Sequence, residues 1–250
     1  MERFLIEKEW LDLPDTATRT EIHQNLRDIS AANKYFGGIS VVLHHLCDMI
    51  GETPYRQPVR ILDMATGSAD MPIAIVEWAR ERNIAVQITA VDNNPIVIEQ
   101  ARRNTQAYPE ICVDRQDILA LPYEHRIFDF VSCSQIIHHL DNDSEVSVLR
   151  SADLLSTQGI VVSDLHRRTF CMVMARVFSL LAANKLSRHD LRVSFKNAFT
   201  PDELGEVALQ AGICCFEVYR HGPCRLALVV DKRNVVCKPV MDVDQAYVLV

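Results

Sequence analysis

From Val59 onward the chain alternates between short apolar runs and stretches whose apolar residues recur every three or four positions. The runs "VRILDM", "VQITAVD", "ICVDRQD", "FDFVSCS" and "GIVVSDL" read as strands, whereas Met71 to Arg82, Pro95 to Asn104 and Asp143 to Leu155 carry helical spacing. Strands joined by helices require crossover connections, so the pattern predicts a mainly parallel sheet with helices on both faces. Ligands bind such a sheet beyond the carboxyl ends of its strands.

The flanks differ from this alternation. Before about Arg56 the spacing is helical, with Ile22, Leu26 and Ile29 in one set and Ile39 to Ile50 in another, until "GETPYRQP" breaks the chain. Residues 1–56 therefore read as an N-terminal helical cap and 57–232 as the core. A helical insertion spans about 170–197, and a tail of no assigned role spans 233–250. Within the insertion Phe170 to Leu186 is helical, with Met172, Met174, Phe178 and Leu181 at helical spacing as core residues or as a lid, and Arg188-His189-Asp190 either binds a substrate carboxylate or caps a loop, the loop being favoured. "FTPDELGEVALQAG" is a capped helix: Thr200 at the N-cap, Pro201 at the first position, Glu203 closing a capping box and Gly212 past the end. The final runs "ICCFEVYR" and "CRLALVVD" are separated only by "HGP", which makes them an antiparallel pair at a sheet edge, with Cys214 and Cys215 buried in the first.

Composition narrows the function classes. With 48% hydrophobic and 24% charged residues the chain can bury a substantial core. Twenty-six basic against 33 acidic residues give a net charge of −7, a poor match for nucleic acid. Eight cysteines contain no C-x-x-C pair and the start "MERFLIEKEW" is charged rather than signal-like, which predicts reduced core thiols in a cytoplasmic protein. The greasiest stretch, Phe170 to Ala183, contains Arg176 and is too short to span a bilayer.

The candidate chemistry lies in "RILDMATGSADMP". The bend Ala65-Thr66-Gly67-Ser68-Ala69-Asp70 has one glycine, no lysine and a carboxylate on either side. It lacks both the G-x-G-x-x-G of a dinucleotide site and the lysine of a P-loop. Acids there oppose phosphate and suit a cationic aminoacyl sulfonium. Asp92 ends the next strand, where a carboxylate can accept both hydroxyls of a ribose, and Asp117 with Ile118 follows the third, suiting an adenine amino group and face.

These residues resemble the class I S-adenosylmethionine-dependent methyltransferases over Val59 to about Leu165. "LDMATGSAD" is similar to the D-x-A-T-G-x-G-D form found in ubiquinone/menaquinone C-methyltransferases. "AVDNNPIVIEQAR" and "RQDILALPYEHRIFDFVSCSQIIHHL" resemble the motifs that follow. The resemblance implies a Rossmann-like seven-stranded sheet with an antiparallel final strand, and S-adenosylmethionine as cofactor. It assigns Asp63, Ala65, Thr66 and Gly67 to the methionine moiety, Asp92 and Asn93 to the ribose, Asp117 and Ile118 to the adenine and Ser134 to the sulfonium side. Ala69 replaces the family's glycine and brings a methyl toward the cofactor. "DISAANKYFGGISVVLHHL" and "SRHDLRVSFKNAFTPDEL" resemble methyltransferases of bacterial polyketide and related pathways, which implies an aromatic, quinone-like or polyketide acceptor.

His138 and Asp164 lie just beyond two successive strand ends and are the candidate base and its partner. His139, His166, Met174 and His189 are candidate acceptor contacts, each with an ordinary structural alternative, and no metal ligand is assigned. Asn33, Lys34, Tyr35 and Phe36 either fold over the cofactor or form a surface turn; Arg167 and Arg168 read as solvated. An NAD-dependent reductase and a non-catalytic cofactor-binding scaffold are the rival readings. A methyltransferase of nucleic acid is disfavoured by charge and by the missing Asn/Asp-Pro-Pro-aromatic motif. A homodimer is left open.

Overall fold

The computed structural model describes residues 7–13, 16–35, 37–51, 57–179, 185–222 and 224–233. The strands are β1 (Val59–Met64), β2 (Val86–Asp92), β3 (Ile111–Arg115), β4 (Phe128–Ser134), β5 (Ser156–Leu165), β6 (Glu217–His221) and β7 (Arg225–Asp231). Among the described residues they form one seven-stranded sheet in the order β3-β2-β1-β4-β5-β7-β6. The first five are mutually parallel, and β7 runs antiparallel to both β5 and β6. The chain adds β2 and β3 on one side of β1 and then returns to add β4 on the other, so strand order reverses at β1. That reversal opens a crevice at the strand ends.

Both faces are buried because neighbouring residues on each central strand point to opposite layers. Leu62, Val131 and Val162 pack with Leu149 of α5 (Asn142–Leu155) and Leu204 of α8 (Pro201–Gln210). Ile61, Phe130 and Val161 pack with Leu46 and Ile50 of α2 (Gly38–Gly51), Ile75 of α3 (Asp70–Glu81) and Ile98 of α4 (Pro95–Asn104). The N-terminal segment thus divides: α2 joins the core, while α1 (Arg19–Tyr35) sets Ile22 and Leu26 against Val97. The capping box of α8 forms as its sequence demands, with Glu203 N–H donating to Thr200 and Thr200 N–H to the Glu203 carboxylate.

Four local expectations are corrected. The insertion is two helices, α6 (Thr169–Ser179) and α7 (Lys185–Asn197), so His189 and Asp190 are helical rather than in a loop. Strand β6 starts only at Glu217, leaving Cys214 outside it and exposed. Arg167 is buried, donating to the Ala198 carbonyl at 2.8 Å and pairing with Glu203, rather than solvated. Cys171 and Cys224 form a disulfide, which overturns the expectation of reduced thiols throughout. The fold brings the start of α6 beside the β6–β7 turn across 53 residues of sequence, a proximity that no spacing announces. Phe36, Leu181, most of "GETPYRQP" and the tail beyond 233 lie outside the described residues. No described helix is long and apolar enough to cross a membrane.

Gly159 shows how tightly the β5–β7 seam closes: a Cβ there would sit 2.7 Å from the Val230 carbonyl oxygen and 2.9 Å from Met49 Sδ. The backbone oxygen cannot yield without moving a strand. Gly159→Ala is therefore expected to destabilise the fold by about 1–3 kcal/mol through overpacking, seen as a lower denaturant midpoint at unchanged slope.

Candidate active site

Strand β1 ends in a bend built from unusual backbone. Ala65, Gly67 and Ala69 have φ of 56°, 57° and 62°, three left-handed residues within five positions. Only Gly67 adopts this conformation without a Cβ penalty. The bend is held in return by Thr66 N–H donating to the Val91 carbonyl at 2.9 Å and Ala69 N–H to the Thr66 carbonyl at 3.0 Å. The Ala69 methyl is fully buried in the core with Ile75 and Val76, so it packs inward and does not crowd a ligand, contrary to expectation.

Two acids shape the crevice. Asp63 is buried and accepts the Ser132 hydroxyl at 2.6 Å, across the seam where strand order reverses. Burial pushes its carboxyl up to about 6, against the Ser132 hydrogen bond and with help from the charge of Asp92. Asp92, half-buried, accepts Gly67 N–H at 3.2 Å and Asn94 N–H at 3.0 Å, which ties the first bend to the second. Asn94 is the helix cap and accepts from Ile96 and Val97. Asn93 and Asp117 are exposed: the Asn93 carbonyl accepts from Arg115, and Asp117 accepts Leu119 N–H at 2.9 Å. Ile118 is buried in the core, and Ser134 is half-buried at the end of β4.

Helix α1 reaches this edge. Ser30 donates to Asp70 at 2.5 Å, and Asn33 bonds Gln135, itself left-handed at the end of β4 with φ of 56°. Lys34 and Tyr35 point outward. A cleft of about 500 Å³ lies beside the bend rather than over the strand ends, between α1 and α4, lined by Ser30, Ser68 and Asn104 among others.

His138 and Asp164 do meet. Nδ1 of His138 lies 2.6 Å from Asp164 Oδ1, with the two side chains 2% and 0% exposed. His138 N–H and Leu165 N–H also donate to the Asp164 carboxylate. Burial acts to raise the Asp164 carboxyl, but the charge of His138 and these hydrogen bonds bring it below its ordinary value. Burial acts to lower His138 in turn, and Asp164 overrides it so that the imidazole binds its proton more tightly than usual.

Beyond His138 lies a residue that sequence reasoning missed. Glu9, 5% exposed, holds Oε1 3.6 Å from His138 Nε2 and 3.7 Å from His139 Nε2, and it accepts the Ser194 hydroxyl. Burial acts to raise its carboxyl, but His139, His138 and Ser194 together bring it below its ordinary value. Residues 7–13 are strapped to α7: Trp10 and Leu11 N–H groups donate to Asp190 at 2.8 and 3.2 Å, and Asn197 donates to the Glu7 carbonyl at 2.7 Å. His189 stacks on Trp10 at 4.1 Å, so it braces the strap. His166 is buried at the end of β5, bridging to Phe199, and burial with Arg168 and Arg220 lowers it to about 4. Met174 is half-buried on α6. No local signal marks Glu9, because its partners lie more than a hundred residues away.

The chain was compared with protein families, curated proteins and solved structures. Residues 61–159 match the family model described as a methyltransferase domain. No curated protein sequence matches the chain significantly. Human N-acetylserotonin methyltransferase in complex with SAM (S-adenosylmethionine) superposes with a TM-score of 0.65 at 14% identity, over 90% of this chain and 63% of that one. Plantazolicin methyltransferase BpumL in complex with SAH gives 0.64 at 13% identity, over 89% and 92%. The CMeT domain of citrinin polyketide synthase gives 0.57 at 12% identity, over 74% and 50%, so the present chain spans half of that structure's length. The fold is that of the class I S-adenosylmethionine-dependent methyltransferases, and the match to the methyltransferase-domain model falls on residues 61–159. The cofactor of that class is S-adenosylmethionine. The donor set at the bend fits it: Asp63 is a buried carboxylate in need of a cation, Asp92 a second acid, and no lysine stands ready for phosphate.

Two outcomes follow. Because Asp63 has a higher pKa folded than its ordinary 3.8, the native state retains a proton that the unfolded chain releases, and stability of the ligand-free protein falls as pH rises from about 4 to about 6. That penalty is about 3 kcal/mol above pH 6. Asp63→Asn should therefore raise the ligand-free melting temperature at pH 7.5 while weakening S-adenosylmethionine binding, read by scanning and titration calorimetry. Asp92→Ala should weaken that binding by about 1.5–3 kcal/mol through lost charge-assisted hydrogen bonds.

Proposed function

We propose that the protein transfers the methyl group of S-adenosylmethionine to a small-molecule acceptor, at a hydroxyl or an activated carbon of an aromatic, quinone-like or polyketide compound. The observation that carries this reading is the buried 2.6 Å contact between His138 Nδ1 and Asp164 Oδ1 at the carboxyl ends of β4 and β5. The similarity to the plantazolicin and N-acetylserotonin methyltransferases and to the citrinin polyketide synthase domain is in keeping with a small acceptor.

S-adenosylmethionine supplies, when bound, a methyl group made electrophilic by its sulfonium. On this reading the chain aligns the acceptor and manages one proton. Asp164 accepts the Nδ1 hydrogen of His138, which fixes the tautomer that exposes the Nε2 lone pair. Nε2 would take the acceptor's proton while the methyl leaves sulfur, as a neutral thioether, for the acceptor's oxygen or carbon, and Asp164 would stabilise the imidazolium that results. With His138 2% exposed and Glu9 over its Nε2, an acceptor reaches the base only when residues 7–13 swing aside. Opening would release the bonds to Asp190, Asn197 and Ser194 and the stacking of Trp10 on His189.

The test is turnover of labelled S-adenosylmethionine with a panel of phenols, quinols and β-diketones. His138→Ala is expected to keep cofactor affinity and lose roughly 10²–10⁴ in kcat, with Asp164→Asn losing less. Unchanged kinetics in His138→Ala would reject the base, and a change confined to acceptor KM would make His138 a binding residue.

A further inference from the structure

Glu9, His138 and His139 come from distant parts of the chain yet converge on one point. Each offers one ligating atom, and the three lie within 4.8 Å of one another; Glu9 Oε1 is 3.6 Å from His138 Nε2 and 3.7 Å from His139 Nε2. A tetrahedral zinc ion with bonds near ~2.0–2.1 Å spaces its ligand atoms by roughly 3.3–3.4 Å. The observed separations of 3.6 and 3.7 Å from Glu9 exceed that by a few tenths of an ångström, within reach of small side-chain rotations. Among the described residues this is the one grouping of three such side chains with that spacing.

The orientation of His138 is the second, independent observation. Its Nδ1 is engaged by Asp164, while its Nε2 is buried, makes no hydrogen bond among the described residues and faces Glu9. A carboxylate holding one imidazole nitrogen so that the other points at a cation is the usual outer support of a histidine metal ligand. Glu9 is held from behind in the same way by Ser194. Two imidazoles and one carboxylate suit a borderline cation such as zinc, whereas magnesium and calcium prefer oxygen ligands.

We propose that Glu9, His138 and His139 bind one divalent cation of the zinc type, with a fourth position left to water, and that the bound cation latches residues 7–13 over the site. Coordination uses the same Nε2 lone pair that the methyl-transfer reading assigns to proton abstraction. The inhibitory consequence therefore rests on that reading, while the binding itself does not. Cation and acceptor are then mutually exclusive, and the loaded protein is held closed.

The experiment uses the full chain freed of metal with a chelator. Zinc is titrated by calorimetry, and cobalt(II) is substituted to read the absorption of tetrahedral coordination. One zinc per chain is expected, with affinity reduced at least tenfold by Glu9→Gln and by His139→Ala and about 10–100-fold by Asp164→Asn. His45→Ala serves as the control: it removes the other histidine group, in which His45 Nε2 and His221 Nε2 are 2.7 Å apart, and should leave binding intact. Equal affinity in wild type, Glu9→Gln and His139→Ala, or loss of binding in His45→Ala, would overturn the site. The turnover arm is separate. Zinc at saturating concentration should suppress methyl transfer in wild type and spare Glu9→Gln. Zinc that binds with the expected variant effects but leaves turnover unchanged would uphold the metal site and overturn His138 as the base.

Discussion

The reversal of strand order at β1 is the constraint on which the rest of the molecule depends. Because β2 and β4 leave β1 in opposite directions, the carboxyl ends of these three strands cannot be closed over by one helix, and the space between them collects side chains. Asp63 and Ser132 face each other across that seam and hold it with a hydrogen bond. A buried acid there costs stability when ionised, and the Ser132 hydroxyl offsets part of that cost.

The core was legible because its residues answer to local rules. A strand buried on both faces must be a short run such as "VRILDM", and a helix that packs on it must repeat every three to four residues, so the first five strands emerge from pattern alone. The bend was legible for the same reason, since acids and small residues beside a strand end have few physical uses. Where reading failed, the deciding contact was distant. Arg188-His189-Asp190 is polar enough to pass for a loop, but Leu186 and Val193 bury one side of α7 while Asp190 and Asn197 receive the strap. The cysteine pair and the burial of Arg167 likewise depend on neighbours supplied by the tertiary fold.

The pairing of His138 with Asp164 was visible as two strand ends in register, but its surroundings were not. Strand geometry puts the two residues side by side; only the strap decides that the outward nitrogen meets Glu9 rather than water. A charged residue near a chain end reads as solvated on propensity alone. It is buried here because two imidazoles and a serine hydroxyl compensate its desolvation.

The strap also sets an order of events for the chain. Trp10 bonds Asp190 across 180 residues, one of several such long closures among the described residues, whereas β1 to β5 pair among residues 59–165. Contacts of such separation bear the largest loop-closure cost and form after the local ones that reward them. During synthesis β1 to β5 can pair with the strand-end crevice open, and the cover over His138 is completed only when α7 has been made. The cover over His138 is thus closed by contacts that the parallel strands do not need in order to pair.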